Sequence, residues 1–234
     1  MRIAIVTGAS SGMGREFVLQ LSQYVSVEEI WVIARRREAL EALAGEVSVP
    51  IRPLALDLCD STSFDTLASL LAAEQPDVKL LVNAAGFGKF GSYSKISAKD
   101  DLRMIDLNCR ALVAMTRLVL PYMHENSHIL QLDSLSAFQP VPYITTYGAT
   151  KAFVLSYSRA MNRELKGTGI RMMAMNPGWV KTEFLTTLSR QTAAMKCSIL
   201  TISTKRQMWW PQDLRTCTGQ RRTIPSTVCP SKPR

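Results

Sequence analysis

Short apolar runs alternate with longer amphipathic stretches from the N-terminus to about residue 184, and this alternation constrains the fold more than any other feature. The apolar runs, such as Ile3 to Thr7 and Glu29 to Ala34, are typical of buried strands. The stretches between them place apolar residues at helical spacing, as in Leu40, Leu43 and Val47. Because parallel strands need such crossovers, the alternation predicts βαβ units rather than hairpins.

Six strands are predicted before residue 184. They span 3–7, 29–34, 51–56, 79–83, 127–133 and 170–176. A sheet whose strands are joined by helical crossovers is covered on both faces. We therefore predict an α/β protein with a doubly wound, Rossmann-type parallel sheet in three α/β/α layers.

The 234 residues are expected to form one domain over 1–186, followed by an irregular, poorly ordered tail over 187–234 without an amphipathic period. From residue 196 onward there are eight basic residues and one acidic residue, a net charge of +7 that leaves +2 for the rest of the chain. Nucleic-acid binding needs a basic surface, and the body of this chain is nearly neutral. We therefore expect no nucleic-acid partner.

No apolar run reaches the ~20 residues that a membrane-spanning helix needs, and Met1 to Val6 is too short for the core of a signal peptide. The five cysteines form no C-x-x-C pair, and the two histidines have no ligand partners at metal spacing. These observations predict a cytoplasmic protein with reduced thiols, no membrane partner and no metal site.

A glycine-rich turn follows the first predicted strand and opens the first helix, with the sequence Thr7-Gly8-Ala9-Ser10-Ser11-Gly12-Met13-Gly14. Glycine permits a tight turn and a close approach of the backbone to a ligand, and a helix N-terminus offers free N–H groups to phosphate. The turn therefore predicts a dinucleotide diphosphate site, formed by Gly8, Ser10, Ser11, Gly12, Met13 and Gly14. The alternative is a strand–helix turn that binds nothing.

The second strand ends in three arginines, Arg35, Arg36 and Arg37, with no acidic residue at its end. A free ribose 2′-hydroxyl favours a carboxylate at this position, whereas a 2′-phosphate favours an arginine. We therefore predict NADP rather than NAD as the cofactor, with Arg35 and Arg36 as binding residues. The alternative is that these arginines form the solvated first turn of a helix.

Tyr147 and Lys151 lie four residues apart on one face of a predicted helix, and only this tyrosine has a lysine four positions later. Ser134 lies thirteen residues before the tyrosine, at the end of a predicted strand. The run 83–86, Asn-Ala-Ala-Gly, ends the fourth strand, and Asn108 lies in a helical stretch between these features. Each feature alone is common, but their order and spacing together are specific.

With these motifs, residues 2–184 resemble the short-chain dehydrogenase/reductase family. The resemblance rests on T-G-x-x-x-G-x-G at 7–14, Asp57-Leu58, N-A-A-G at 83–86, Asn108, Ser134, Y-x-x-x-K at 147–151, and Pro177-Gly178 with Thr182. It implies a Rossmann-type domain, an NAD(P)(H) cofactor, a small carbonyl or alcohol substrate, and reversible hydride transfer between the two.

The resemblance also implies roles for individual residues. Tyr147 would be the general acid or base, Lys151 would hold the nicotinamide ribose and assist the tyrosine, Ser134 would fix the substrate oxygen, and Asn108 would support a proton relay. The other implied cofactor residues are Asp57, Leu58, Asn83, Ala84, Ala85, Gly86, Pro177, Gly178, Val180 and Thr182.

The chemistry of these side chains agrees with the implied roles. A hydride that reaches a carbonyl carbon leaves an alkoxide that needs a proton, and the pKa of a free tyrosine, about 10, makes it a slow partner at neutral pH. A lysine ammonium about 4 Å away is expected to lower the pKa of Tyr147. Ser134 supplies a hydroxyl where negative charge develops. Aromatic and aliphatic residues that follow the motifs are expected to line an apolar pocket, namely Phe87, Phe90, Leu135, Phe138, Tyr143, Trp179 and Phe184.

The sequence departs from the family pattern at two places. Asp133 stands where the family often has a small polar residue. After about residue 187 the expected late helices and last strand are missing, and a shifted reading frame near Met208-Trp209-Trp210 permits a more family-like sequence. We therefore interpret the tail as a frameshift, with a divergent basic tail as the alternative. The resemblance implies a homo-oligomer, although the family often pairs through the region that this tail replaces. The alternative function is a non-catalytic NADP-binding protein or an inactive truncated family member.

Overall fold

The computed structural model describes residues 1–178 and 180 of the chain. Six parallel strands form one sheet in the order β3-β2-β1-β4-β5-β6. The strands are β1 (Arg2–Thr7), β2 (Glu29–Ala34), β3 (Ile51–Ala55), β4 (Asp77–Asn83), β5 (His128–Leu132) and β6 (Arg171–Met175). The helices are α1 (Gly12–Leu21), α2 (Arg37–Glu41), α3 (Thr62–Glu74), α4 (Ala98–Ile105), α5 (Leu112–Val119) and α6 (Thr145–Glu164).

Helices cover the sheet on both faces, as a parallel sheet requires. On one face, Ile3 and Ile5 of β1 belong to a core that includes Leu71 of α3, Met115 of α5 and Met161 of α6. The intervening β1 residues point to the opposite face, where they too are shielded from solvent. That face is covered by α1 and α2, whose buried residues are Gly14, Phe17, Val18, Leu21 and Leu40. The predicted α/β fold with three layers is confirmed.

The direction of the strand order reverses at β1, which pairs with β2 on one side and with β4 on the other. Ligands of open α/β sheets bind beyond the carboxyl ends of the strands at such a switch point. Thr7 and Asn83 lie opposite each other at the ends of β1 and β4. The glycine turn and the N-A-A-G run therefore start side by side.

All six predicted strands are present, and their ends differ from prediction by only a few residues. The helices differ more. The helical spacing of Leu40, Leu43 and Val47 predicts one continuous helix, but the structure has a short α2 followed by a 3₁₀ turn at Ala42–Gly45. Between α4 and α5 the chain forms a π-helix, Asp106–Ala111, which the sequence pattern did not predict.

Several predictions fall on residues outside the described part of the chain. They concern Thr182 as a cofactor residue, Trp179 and Phe184 as pocket residues, and the tail from residue 187, including the frameshift and the boundary at 186. These stay predictions. Among the described residues, no helix is both long and apolar enough to cross a membrane.

Candidate active site

The hydroxyl of Thr7 joins the glycine turn to the N-A-A-G run. Its Oγ1 accepts hydrogen bonds from the backbone N–H groups of Ala84 and Ala85, both at 3.1 Å, and donates to the carbonyl of Val82 at 3.4 Å. Thr7 is almost completely buried. The threonine that opens the motif therefore fixes the spacing between the ends of β1 and β4.

Two glycines of the turn are required by close backbone contacts. Gly8 has a φ of +68°, and a Cβ placed on it would lie 2.8 Å from the backbone of Ala85. A Cβ on Gly14 would lie 2.3 Å from the carbonyl oxygen of Gly8. Any larger residue at either position would force apart the first strand, the first helix and the N-A-A-G run.

The N-terminus of α1 is available for an anion. Ser11 precedes the helix but makes no side-chain capping hydrogen bond, and the first turn contains no acidic residue. Gly12 also has a positive φ, +53°, which belongs to the turn that leads into the helix. Uncapped N–H groups with the helix dipole behind them attract a phosphate group. The turn thus fits the diphosphate of a dinucleotide.

One of the three arginines, Arg36, reaches this turn. Its Nη2 donates to the carbonyl oxygen of Ser10 at 3.0 Å and to Ser10 Oγ at 3.4 Å. Arg35 is exposed, and Arg37 forms an ion pair with Glu41 one turn along α2. The structure therefore brings Arg36 to Ser10 of the glycine turn and directs Arg37 elsewhere.

Other residues predicted to bind the cofactor are already engaged with the protein. Asp57 Oδ1 accepts a hydrogen bond from the backbone of Cys59, and its Oδ2 lies 3.5 Å from Arg103 Nη2. Leu58 is buried. The side chain of Asn83 is also buried and donates to Thr116 Oγ1 at 3.2 Å. Contacts of Leu58 and Asn83 with a cofactor would therefore come from their backbone atoms.

Tyr147 and Ser134 meet beyond the carboxyl ends of the strands. Tyr147 lies in the first turn of α6, and its side chain hydrogen-bonds with that of Ser134, which follows β5. Ser134 Oγ also accepts a hydrogen bond from Ser136 N at 3.2 Å and from Ser136 Oγ at 3.0 Å. The two hydroxyl groups thus face the same small volume, where a substrate oxygen would sit.

The expected lowering of the tyrosine pKa was wrong for the protein without cofactor. Burial raises the pKa of Tyr147 to about 12, and the hydrogen bond with Ser134 only partly opposes this effect. The Nζ of Lys151 lies 5.7 Å from the centre of the tyrosine ring and is directed to the carbonyl oxygen of Leu132, 2.6 Å away. Removal of the phenolate from water, together with repulsion by the Asp133 carboxylate, therefore keeps this pKa above that of a free tyrosine.

Lys151 is a buried cation, with 6% of its surface exposed. Burial lowers its pKa to about 8, and the Asp133 carboxylate acts in the opposite direction. A Cβ on Gly86 would lie 3.0 Å from Asn108 Oδ1 and 3.9 Å from Lys151 Nζ, so this glycine of the N-A-A-G run passes close to both side chains. Lys151 therefore lies between the tyrosine, the strand end and the N-A-A-G run.

Asn108 lies in the π-helix and joins three parts of the site. Its Oδ1 accepts from Phe87 N at 3.1 Å, and its Nδ2 donates to Phe87 O at 2.9 Å and to Thr150 Oγ1 at 3.0 Å. Thr150 in turn donates to the carbonyl oxygen of Tyr147 at 2.7 Å. π-helical turns occur frequently at functional sites. Here the turn carries Asn108 between the N-A-A-G run and the helix that holds Tyr147 and Lys151.

Sequence reasoning missed two residues of the site. Thr150 occupies an unspecified position of the Y-x-x-x-K motif, and it connects Asn108 to the tyrosine. Asn176 Nδ2 donates to Asp133 Oδ2 and to the carbonyl oxygen of Ser134 at 3.3 Å, so it holds the strand end that carries the serine. The sequence signal that could have identified Asn176 as a site residue is its position directly before Pro177-Gly178.

The segment that follows β6 packs against the loop that carries Ser134. Leu135 N donates to the carbonyl oxygen of Pro177 at 3.1 Å, and Gly178 packs near the side chain of Leu135. Leu135, Phe138 and Tyr143 are each about half exposed around this edge. Within residues 1–178 and 180, no three histidine, cysteine or acidic side chains converge as a metal site would require.

A search of protein families matches residues 2–193 to the short chain dehydrogenase model. The chain belongs to the short-chain dehydrogenase family. Its members share the oxidoreductase chemistry that the arrangement of Tyr147, Lys151 and Ser134 supports.

Known members of the family resemble this chain over most of its length. The NADP-dependent 3-hydroxy acid dehydrogenase YdfG of Escherichia coli is 35% identical over 190 residues, which cover 78% of this chain and 74% of YdfG. A short-chain dehydrogenase from Sphingobium yanoikuyae in complex with NADPH has a TM-score of 0.72 and 28% identity, over 81% of this chain and 76% of its own. The 3-ketoacyl-(acyl-carrier-protein) reductase from Brucella melitensis, complexed with NADH, has a TM-score of 0.72 and 29% identity, over 81% of this chain and 80% of its own.

Proposed function

We propose that this chain is an NADP(H)-dependent oxidoreductase that transfers a hydride between the cofactor and a carbonyl or alcohol substrate. The observation that carries the proposal is the hydrogen bond between the side chains of Tyr147 and Ser134, with the buried Lys151 beside them. These three groups lie at the sheet edge that also carries the glycine turn, because β1, β4 and β5 are parallel.

The choice of NADP over NAD depends on Arg36. Its guanidinium and the Ser10 hydroxyl would hold a 2′-phosphate, which a guanidinium binds through charge-assisted hydrogen bonds. The E. coli relative is NADP-dependent and the Sphingobium neighbour holds NADPH, whereas the Brucella neighbour holds NADH. Family membership alone therefore leaves the cofactor open, and the arginine beside the turn supports NADP.

The side chains of the site have distinct roles in carbonyl reduction. When bound, NADPH supplies the hydride. Tyr147 donates its proton to the carbonyl oxygen, where negative charge develops, and Ser134 donates a hydrogen bond to the same oxygen. The Lys151 ammonium stabilises the phenolate that the proton transfer leaves on Tyr147. In alcohol oxidation the same groups act in reverse, with Tyr147 as the base.

The test is to incubate the purified chain with NADPH or NADH and a panel of ketones and aldehydes. Turnover is measured from the change in absorbance of the cofactor. Tyr147→Phe should reduce turnover about 10²–10⁴-fold and leave NADPH affinity nearly unchanged, because it removes only the phenolic hydroxyl that supplies the proton. Tyr122→Phe is the matched control, since Tyr122 precedes β5 at the opposite edge of the sheet.

Two outcomes would contradict the proposal. Binding of NADPH by the unaltered chain without turnover of any substrate would favour the alternative of a non-catalytic NADP-binding protein. Loss of NADPH binding in the Tyr147 variant, with residual turnover, would show that the tyrosine holds the cofactor rather than supplying the proton.

A further inference from the structure

A buried carboxyl group lies beside the catalytic pair and has no role in the reaction described above. Asp133 directly follows β5 and is only 2% exposed. Its Oδ2 accepts a hydrogen bond from Asn176, but its Oδ1 accepts none from any residue between 1 and 178. A buried, ionised carboxyl group with an unpartnered oxygen is costly unless a cation lies close to it.

The nearby cation is Lys151. Its Nζ donates to the carbonyl oxygen of Leu132, the residue immediately before Asp133, so the ammonium and the carboxyl group flank the same strand end. Burial raises the pKa of Asp133 to about 6 and lowers that of Lys151 to about 8, and each group opposes the shift of the other. Between these two values the carboxylate and the ammonium are both charged.

The other titratable groups around this pair cannot replace the carboxylate. Tyr147 on α6 and Cys109 in the π-helix also face the pair, but burial raises their pKa values to about 12 and about 11, so both are neutral at physiological pH. Arg159 on α6 attracts Asp133 but carries the same sign of charge as Lys151. Within the described chain, Asp133 is therefore the carboxylate that stabilises the lysine charge.

We propose that Asp133 is a positioning residue whose carboxylate holds the buried Lys151 side chain in its charged form and thereby sets the upper pH limit of catalysis. The proposal deepens the proposed function, in which the Lys151 ammonium stabilises the Tyr147 phenolate. It also accounts for a carboxylate at a position where the family often has a small polar residue.

The first test needs neither cofactor nor turnover. The ionisation of Lys151 is followed by NMR in protein with ¹³C-labelled lysine, and its signal is identified by its absence in Lys151→Arg. The midpoint should lie near pH 8 in the unaltered chain. It should fall by about one pH unit in Asp133→Asn and in Asp133→Ser, because an opposite charge has been removed. If the asparagine variant does not fold, the serine variant still allows the midpoint of Lys151 to be measured.

Asp77→Asn is the matched control. Asp77 also has an Oδ1 that is buried and accepts no hydrogen bond within the described chain, but it lies at the start of β4, at the opposite edge of the sheet. Its Oδ2 pairs with Lys79 at 2.8 Å. This variant should leave the midpoint of Lys151 unchanged. An unchanged midpoint in both Asp133 variants would overturn the proposal.

The second test is the pH profile of NADPH-dependent reduction. The Asp133 variants should turn over at a rate close to that of the unaltered chain below about pH 6, and they should lose activity at lower pH than the unaltered chain does, by the same shift that NMR reports. A loss of activity that is equal at every pH would indicate a purely structural role for Asp133. It would overturn the proposal that Asp133 sets the upper pH limit of catalysis. If no substrate is turned over, the proposed function fails, whereas the NMR titration still decides whether Asp133 controls Lys151.

Discussion

At the scale of single residues, burial controls the chemistry of the site more than sequence spacing does. The four-residue separation correctly brought Tyr147 and Lys151 to one helix face, but it could not show that the lysine reaches the carbonyl of Leu132. Nor could it show that desolvation keeps the tyrosine protonated. Spacing predicts which side chains are neighbours, whereas ionisation depends on how much water the folded chain excludes.

The raised pKa of Tyr147 predicts opposite pH dependence in the two directions of the reaction. Reduction needs the protonated phenol, which is the dominant form well below pH 12, so its rate should change little from neutral pH until Lys151 loses its charge. Oxidation needs the phenolate, whose fraction grows tenfold per pH unit below the pKa. The values of kcat/KM measured in both directions across pH will check this, and a pH-independent oxidation rate would contradict it.

Arg36 should determine the preference between the two cofactors. Arg36→Ala should raise KM for NADPH about 10–100-fold and leave KM for NADH nearly unchanged, because a charge-assisted hydrogen bond contributes about 1.5–3 kcal/mol. Arg37→Ala is the control, since Arg37 pairs with Glu41 on α2. Initial rates with each cofactor measure the effect. An equal loss for both cofactors would mean that Arg36 supports the turn rather than a 2′-phosphate.

At the scale of elements, the strands were predictable and the junctions between elements were less so. Strands of a buried parallel sheet form continuous apolar runs, which stand out in the sequence. The π-helix at Asp106–Ala111 has no comparable signal, because a single widened turn hardly alters helical spacing. The hydroxyl of Thr7 that joins β1 to the N-A-A-G run depends on contacts between residues far apart in sequence.

The junction between β1, α1 and β4 should be intolerant of even one added carbon atom. Gly8→Ala should lower the free energy of unfolding by about 2–4 kcal/mol, because its φ is +68° and the new Cβ would lie 2.8 Å from the backbone of Ala85. Gly45→Ala is the matched control. No atom lies within 4 Å of the Cβ it would add, so stability should change by less than about 1 kcal/mol. Urea denaturation measures both, and equal effects would contradict the close packing at Gly8.

At the scale of the whole molecule, the sequence predicted the topology because strands separated by helices allow few arrangements. The site could be predicted to the extent that its residues follow strand ends, as Ser134 and Asn83 do. Contributions from Thr150 and Asn176 became visible only when distant segments were placed side by side. The tail from residue 187 stays a matter of sequence interpretation, which the coding DNA can decide.

The uneven charge of the chain predicts how it will behave with polyanions. Residues from 196 onward carry +7 and the rest +2, so any binding to DNA or heparin should be weak, independent of sequence and lost at moderate salt. Such binding should leave the affinity for NADPH unchanged. A filter-binding assay with DNA at several salt concentrations checks this. Sequence-selective binding that persists in high salt would contradict the expectation of no nucleic-acid partner.

The position of β1 in the middle of the sheet also affects how the protein is made. This strand leaves the ribosome before the other five strands of the sheet, yet one of its two neighbours, β4, ends only at Asn83. Until then, one apolar edge of the nascent chain has no strand to pair with, and such edges promote aggregation. Every pairing in the sheet joins strands separated by at least one helix, which slows folding. Synthesis of this fold therefore includes a period in which chaperones have an exposed strand to shield.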